Sequence, residues 1–170
     1  MNRVPGTLIM TALLVCAFAM PAAAGEVFLK YKGGIGVNPV SSVVGTDPTG
    51  DASRNVVRGF LPGGQPWVIE SLKADVTVDG RIRVDGRGLL LSGGNRIGTT
   101  GGQSVNATIS CGPLPIGPFS SHSSGVVALE PDGDFRIDDV LNPPLPISCE
   151  NPVLLIVSGG GRWFAAGIPQ

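Results

Sequence analysis

Residues 74–91, ADVTVDGRIRVDGRGLLL, decide the fold of this chain. Apolar and polar residues alternate on both sides of Asp79-Gly80, and the stretch ends in three consecutive leucines. Alternation with a period of two is typical of a β-strand with one buried face, and Asp-Gly is a common tight turn between two such strands. The stretch therefore predicts an antiparallel hairpin.

The register of this hairpin follows from its loop. A three-residue loop over residues 78–80, with Gly80 at a positive φ, places apolar residues opposite one another on one face and opposite charges on the other. The predicted cross-strand pairs are Val76–Ile82, Ala74–Val84, Asp75–Arg83 and Lys73–Asp85. A two-residue turn mixes apolar and charged residues on each face, and a loop over residues 79–81 opposes Asp75 to Asp85. We therefore prefer the first register.

A second hairpin is predicted at residues 127–139. Here residues 131–133, Pro-Asp-Gly, form the turn, because proline suits its first position and glycine its last. The predicted pairs are Leu129–Phe135 and Val127–Ile137. Both hairpins share one pattern: Asp-Gly, any residue, then apolar, Arg, apolar and Asp. The shared pattern is explained either by an ancient duplication or by two unrelated hairpins that use the same favourable residues. We favour the second explanation because the similarity stops at the hairpin.

The rest of the chain predicts an all-β fold. Short alternating or apolar runs are separated by Gly- and Pro-rich segments, and no segment has a convincing helical pattern. The further predicted strands cover residues 26–32, 56–60, 67–72, 89–91, 104–110, 153–157 and 162–166. About nine short strands predict an antiparallel β-sandwich, with a partly closed barrel as the alternative. Residues 38–55 predict a long surface loop.

The first 24 residues predict a cleaved signal peptide. Arg3 precedes an uncharged apolar run at residues 7–20, and residues 22–24 are three alanines that suit a cleavage site. The run is shorter than the roughly 20 residues that a membrane-spanning helix needs. Val15, before Cys16, is bulkier than the residue that a lipoprotein signal carries there. We expect a single domain over residues 25–170, secreted or periplasmic, with no membrane span after cleavage.

The composition excludes some classes of protein and partner. The chain has 26 glycines and 15 prolines without a repeating period, which excludes collagen, and its 42% hydrophobic content argues against general disorder. After signal removal, eleven Lys and Arg residues remain against thirteen Asp and Glu residues. No basic patch stands out, so nucleic acid is not expected as a partner. Other partners and the oligomeric state stay unknown.

Cys111 and Cys149 remain after removal of the signal and are predicted to form a disulfide. An even number of cysteines in an exported protein is typical of such a bond. The bond would tie the loop that follows the strand at residues 104–110 to the entry of the strand at residues 153–157.

Four stretches resemble a group of uncharacterised exported bacterial proteins. They are GRGLLLSGGNRIGTTGGQSV at residues 86–105, DGDFRIDD at residues 132–139, NPVLLI at residues 151–156 and GGRWFAAGIP at residues 160–169. The resemblance covers most of the chain after the signal and implies export and a single domain. It implies no activity, cofactor or catalytic residue.

The sequence offers few residues for metal binding. His122 is the only histidine, which excludes a site built on several histidines, and we expect it to be a solvated loop residue. The aspartates at residues 132–139 suggest a calcium site, because calcium prefers clustered oxygen ligands. Phe135 and Arg136, however, replace residues that an EF-hand loop requires. We expect roles in the turn and on the solvent face for Asp132, Asp134, Asp138 and Asp139.

Three other patterns have both a functional and a structural interpretation. The glycine-rich segments at residues 93–102 and 158–162 lack the Gly-Lys-Ser/Thr of a phosphate-binding loop, so we expect them to be turns. A glycosidase needs two carboxylates, and the candidates are Glu70, Glu130 and Glu150. A sugar-stacking platform needs exposed aromatic rings, and the candidates, which we expect to pack in the core, are Trp67, Trp163 and Tyr31.

Together, these patterns predict a non-enzymatic binding or structural module with no catalytic, cofactor-binding or metal-binding residues. The alternative is an envelope-associated hydrolase with an unrecognised carboxylate pair. A pocket lined by two converging acids would favour the hydrolase, whereas an exposed aromatic patch or sheet edge would favour binding.

Overall fold

The computed structural model describes residues 25–44 and 51–170, so the predicted signal peptide at residues 1–24 lies outside the described residues. The described residues form fourteen strands and no helix, which confirms the all-β prediction. The strands are β1 (Val27–Gly36), β2 (Val40–Val44), β3 (Asp51–Arg54), β4 (Leu61–Pro62), β5 (Trp67–Val68), β6 (Ser71–Thr77), β7 (Arg81–Arg87), β8 (Leu90–Leu91), β9 (Ser104–Cys111), β10 (Ser120–Ser123), β11 (Val127–Ala128), β12 (Phe135–Val140), β13 (Val153–Ser158) and β14 (Arg162–Pro169).

Ten of these strands form one continuous sheet that curls on itself. Its order is β10-β9-β13-β14-β1-β6-β7-β12, with β11 paired to β9 and β4 parallel to β14. The two ends approach each other where Ser123, in β10, exchanges backbone hydrogen bonds of 2.9 and 3.0 Å with Asn142, just after β12. The sheet is therefore nearly closed and barrel-like, as in the alternative architecture. The other two sheets, β2–β3 and β5–β8, have two strands each.

The stretch at residues 74–91 forms β6 and β7 in the predicted register. The structure pairs Val76 with Ile82, Ala74 with Val84, Asp75 with Arg83 and Lys73 with Asp85. Gly80 has a φ of 83°, and its N–H donates to the Thr77 carbonyl at 2.9 Å, so the three-residue loop is confirmed. Positive φ is accessible to glycine without a Cβ clash, which is why glycine ends this loop.

The second predicted hairpin forms its turn but not its ladder. Gly133 has a φ of 87°, and the Glu130 N–H donates to the Asp134 carbonyl at 2.9 Å across the turn. The predicted pairs Leu129–Phe135 and Val127–Ile137 are wrong, because β11 pairs with β9 and β12 pairs with β7. Strand alternation fixes which face a residue occupies, but it does not fix which strand lies beside it.

The ladder between β7 and β12 joins the two copies of the shared pattern. Arg136 lies opposite Asp85, and Asp138 lies opposite Arg83. Next along the ladder, Phe135 lies opposite Gly86, and a Cβ on Gly86 would collide with the Phe135 ring. The glycine lets the ring pack directly on the neighbouring backbone.

The hydrophobic core is centred on β13, which lies between β9 and β14. Residues 154–157 are all buried, so this strand has no solvent face along that stretch. The continuous apolar run VLLIV is the sequence pattern of such a strand. In the leucine run, Leu89 and Leu91 are buried and Leu90 is half-buried.

Cys111 and Cys149 form the predicted disulfide, with their Cα atoms 5.0 Å apart. Beside it, the Gly112 N–H donates to the Glu150 carbonyl at 2.8 Å. The bond joins the end of β9 to the segment that enters β13, as predicted.

The region expected to be a long loop, residues 38–55, contains the hairpin β2–β3 in its described part. The predicted strand at residues 56–60 is reduced to one backbone bridge between Val57 and Phe60. Across residues 25–44 and 51–170, no helix is long and apolar enough to cross a membrane.

Candidate functional site

His122 is a buried residue of β10, with 4% of its surface exposed, so the prediction of a solvated loop residue is wrong. Its Nδ1 lies 2.9 Å from the Pro143 carbonyl, and its Nε2 lies 2.9 Å from Ser120 Oγ. Because a carbonyl can only accept, Nδ1 carries the proton, and in the neutral imidazole Nε2 accepts from the serine hydroxyl. Nδ1 therefore ties β10 to the segment after β12, whereas Nε2 makes a local contact within β10. The flanking serines resembled a polar loop in the sequence.

Asp132 and Asp134 bind backbone groups around the second turn. Asp132 Oδ1 accepts the Asp134 N–H, and Asp134 Oδ1 accepts the Gly88 N–H, both at 3.1 Å. The first bond is the local turn closure that aspartate favours, and the second fixes the turn to the segment after β7.

The carboxylates of Asp138 and Asp139 are paired with arginine side chains and backbone N–H groups. Asp138 lies 3.0 Å from Arg81 and 3.3 Å from Arg83, and the hydrogen bond from Arg81 lowers its pKa below the ordinary value. Asp139 accepts the Gly125 N–H at 2.6 Å, and this bond lowers the pKa of Asp139. Among the residues with a described position, no three metal-ligating side chains come together.

The three candidate glutamates have different surroundings. Glu150 lines a cavity beside the disulfide, and Glu130 lines a cavity of about 420 Å³ between β11 and β12. Glu70 lines neither cavity and packs against Gly88.

Among the acids described in this cavity, only Glu130 forms no described side-chain hydrogen bond or ion pair. Asp134 holds the Gly88 N–H, and Asp85 pairs with Arg136 at 3.2 Å and with Arg87 at 3.5 Å. General acid–base chemistry on a glycoside needs two carboxyl groups with separate roles. The cavity offers one carboxylate that is free for such a role.

The three candidate aromatic residues are all buried, as expected for core packing. Trp163 donates its Nε1–H to the Asn55 carbonyl at 2.9 Å. Trp67 stacks on Phe164, with ring centroids 4.0 Å apart and an angle of 14° between the rings. Tyr31 is also buried, and the three residues form no exposed platform.

Two glycine-rich segments meet at one groove of about 380 Å³. One segment supplies Arg96 and Gly101, and the turn between β13 and β14 supplies Gly160 and Arg162. The stacked pair described above forms an apolar wall. We call this site the arginine groove.

Local hydrogen bonds position both arginines at the groove. Gly161 has a φ of 76°, and its N–H donates to the Ser158 carbonyl at 2.8 Å. The Arg162 N–H donates to Ser158 Oγ at 3.1 Å, so this tight turn begins β14 at Arg162. The Arg96 carbonyl accepts the Thr99 hydroxyl at 2.8 Å, and the Thr99 carbonyl accepts a backbone N–H of β8.

The arginine groove has cationic donors and lacks anionic acceptors in its described lining. Nη1 of Arg162 is buried and has no hydrogen-bond partner. Neither Arg96 nor Arg162 forms an ion pair with a described residue. The described lining contains no Asp, Glu, His or Cys, and the amides of Gln65 and Gln103 add further polar groups. Such a surface favours ligands that supply acceptors or negative charge.

The sequence does not predict this groove. Each glycine-rich segment lacks the Gly-Lys-Ser/Thr of a phosphate-binding loop, so the sequence indicates only a turn there. The available signal was that each segment carries one arginine, Arg96 in the first and Arg162 in the second. The structure brings both segments to the same groove, which both arginine residues line.

Comparisons of the chain with protein-family models, with curated proteins and with solved structures find no match in any of the three. The functional proposal therefore rests on the geometry and chemistry of the sites described above.

Proposed function

We propose that the protein is a secreted or periplasmic, non-enzymatic binding module that holds a small polar ligand in the arginine groove. The observation that carries the proposal is the convergence of Arg96 and Arg162 on a groove whose described lining has no acid. Its volume, about 380 Å³, is within the range of small-molecule sites. The predicted signal peptide and the disulfide support export.

The chemistry of the lining favours binding over turnover. Proton transfer and nucleophilic attack use side chains such as His, Asp, Glu, Cys or an activated serine. Ser158 is the one serine in the described lining, it is buried, and its Oγ accepts the Arg162 N–H. No base lies in the described lining to activate it.

The proposal is tested by blocking the groove from one turn. Gly160 lines the groove, whereas its neighbour Gly159 does not, and a Cβ on Gly159 meets open space. Binding of glucose, glucose 6-phosphate, glucuronate and citrate is measured by NMR, and each compound is then recovered and analysed. We expect at least one compound to bind, to be recovered unchanged, and to lose binding in Gly160→Trp but not in the matched control Gly159→Trp.

Equal binding by Gly160→Trp and the parent protein would place the ligand elsewhere and overturn the proposal. Hydrolysis of glucose 6-phosphate to glucose and inorganic phosphate would indicate the alternative, an envelope hydrolase. Because Glu130 is the uncommitted acid of its cavity, that conversion is expected to disappear in Glu130→Gln.

A further inference from the structure

We infer that the arginine groove recognises an oxyanion, namely a phosphate, sulfate or carboxylate group carried by a small polar molecule, with Arg162 as its principal contact. The inference rests on the proposed binding function and names the class of ligand. Three observations carry it: the buried guanidinium nitrogen, the unequal distribution of arginine partners in the molecule, and the composition of the groove.

The first observation is the state of the Arg162 side chain. Its Nη1 is buried without a partner, while the side chain lines an open groove. Buried polar groups in native proteins are almost always hydrogen-bonded, and an unpartnered one calls for an explanation such as a bound water or ion. A guanidinium presents a planar set of donors that matches the paired oxygens of a carboxylate or phosphate.

The second observation is the contrast between the groove and the outer face of the sheet. There, the arginines at residues 81, 83, 87 and 136 all pair with Asp85 or Asp138. Arg58, elsewhere, donates to the Gly112 and Asn151 carbonyls. At the groove, neither arginine has a carboxylate among the described residues. The cationic charge there has no carboxylate partner among the described residues and is available to a ligand.

The third observation concerns the body of the ligand. Gln65 and Gln103 can both donate and accept, and they line the groove together with the arginines. The wall of Trp67 and Phe164 supplies an apolar contact of limited area, because both residues are largely buried. A polar body the size of a monosaccharide, with one oxyanion, fits these contacts and the volume of about 380 Å³.

The test compares charged and neutral forms of one molecule by calorimetry on the intact protein. We expect glucose 6-phosphate and glucuronate to bind at least 10-fold more tightly than glucose, and their affinity to fall with added NaCl. Arg162→Gln should weaken binding of these two compounds at least 10-fold, and Arg162→Lys should restore part of the loss. Arg96→Gln, a change at an exposed position, should weaken binding by a smaller factor.

The matched control is Arg136→Gln, which removes the same charge from an exposed residue that does not line the groove. Its affinity for glucose 6-phosphate should equal that of the parent protein. Glycerol phosphate and vesicles of phosphatidylglycerol distinguish two sources of the phosphate. If the natural ligand is a free metabolite, we expect the protein to bind glycerol phosphate alone. If it is a lipid headgroup, we expect the protein to sediment with vesicles of phosphatidylglycerol but not of phosphatidylcholine. Either result supports an oxyanion site.

The inference is wrong if glucose binds as tightly as glucose 6-phosphate, or if Arg162→Gln and Arg96→Gln both keep the parent affinity. In those cases the proposed function still stands, provided that Gly160→Trp abolishes binding. If Gly160→Trp also binds normally, the proposed function fails together with the inference.

Discussion

Tyr31 buries a hydroxyl group that has no hydrogen-bond partner. The residue lies in β1 with 3% of its surface exposed, and burial raises its pKa to about 12. Desolvation disfavours the charged phenolate, which accounts for the direction of the shift. The ring contributes to the core, while the hydroxyl contributes a desolvation penalty.

Replacing this residue separates the two contributions. Tyr31→Phe keeps the ring and removes the unsatisfied hydroxyl, so we expect the free energy of unfolding to rise by about 1 kcal/mol. Urea denaturation of both proteins measures the difference. Tyr31→Ala, as a control, should lose stability because it removes the ring. A loss of stability in Tyr31→Phe would show that the hydroxyl has a favourable partner.

The same variant has an expected pH signature. The pKa of Tyr31 is about 12 in the folded state and 10.0 in the unfolded reference. Between these values the unfolded chain binds fewer protons, so stability falls as pH rises from about 10 to about 12. In Tyr31→Phe this part of the decline should be absent. Identical alkaline profiles for the two proteins would contradict the assignment.

At the scale of elements, the pairing of β7 with β12 is self-complementary. Each strand carries Arg, an apolar residue and Asp in that order, and the antiparallel ladder is centred on Val84 opposite Ile137. Arg83 therefore meets Asp138, and Arg136 meets Asp85, at 3.3 and 3.2 Å. These contacts also explain why the residues of β6 opposite Arg83 and Asp85 form no ion pair with them. Arg83 and Asp85 pair instead with residues of β12.

The charges also discriminate between registers. A slip of two residues keeps the apolar faces aligned, since strand side chains repeat every two residues. One such slip would oppose Asp138 to Asp85 and Arg136 to Arg87, and the other would oppose Arg136 to Arg83. Like charges directly opposite each other are destabilising. The observed register is the one in which both arginines meet a carboxylate.

A charge reversal tests this ladder. Asp138→Arg places a third cation beside Arg81 and Arg83, and we expect the melting temperature to fall by about 2–4 °C. Adding Arg83→Asp should recover part of the loss, because it restores one opposite pair. Both differences should shrink in 1 M NaCl, which screens exposed charges. A double variant no more stable than Asp138→Arg, at low salt, would contradict the pairing.

The two hairpins show what local sequence determines. The register of β6 with β7 was predictable because the loop at residues 78–80 and the cross-strand charges lie within one short stretch. The ladder predicted for residues 127–139 failed because Val127 and Ile137 alternate equally well with strands far away in sequence. Their turn was still predicted, since proline and glycine act locally.

At the scale of the whole molecule, the arginine groove was not predictable. Its lining comes from separate segments between residues 63 and 164, and the order of β9, β13 and β14 brings them together. Sequence spacing carries no information on that order. The burial of His122 was not predictable for a related reason. It depends on the residues after β12, which lie 21 positions away in the sequence.

The disulfide is expected to contribute strongly to the stability of this fold. Cys111 and Cys149 are 38 residues apart, and closing a loop of that size stabilises a protein by about 4 kcal/mol in the chain-entropy model. Cys111→Ser combined with Cys149→Ser should lower the free energy of unfolding by about 2–4 kcal/mol in urea denaturation. Reduction of the parent protein serves as the matched comparison. An unchanged urea midpoint in both would contradict this expectation.

The self-complementary ladder has a consequence for the behaviour of many molecules together. If β12 detaches, the exposed edge of β7 can pair antiparallel with the β7 of a second molecule around Val84, because Arg83 of each copy then faces Asp85 of the other. The β7–β12 ladder within the sheet is thus also a template for pairing between chains. Heat or acid that releases β12 is expected to join two molecules into a dimer through their β7 edges.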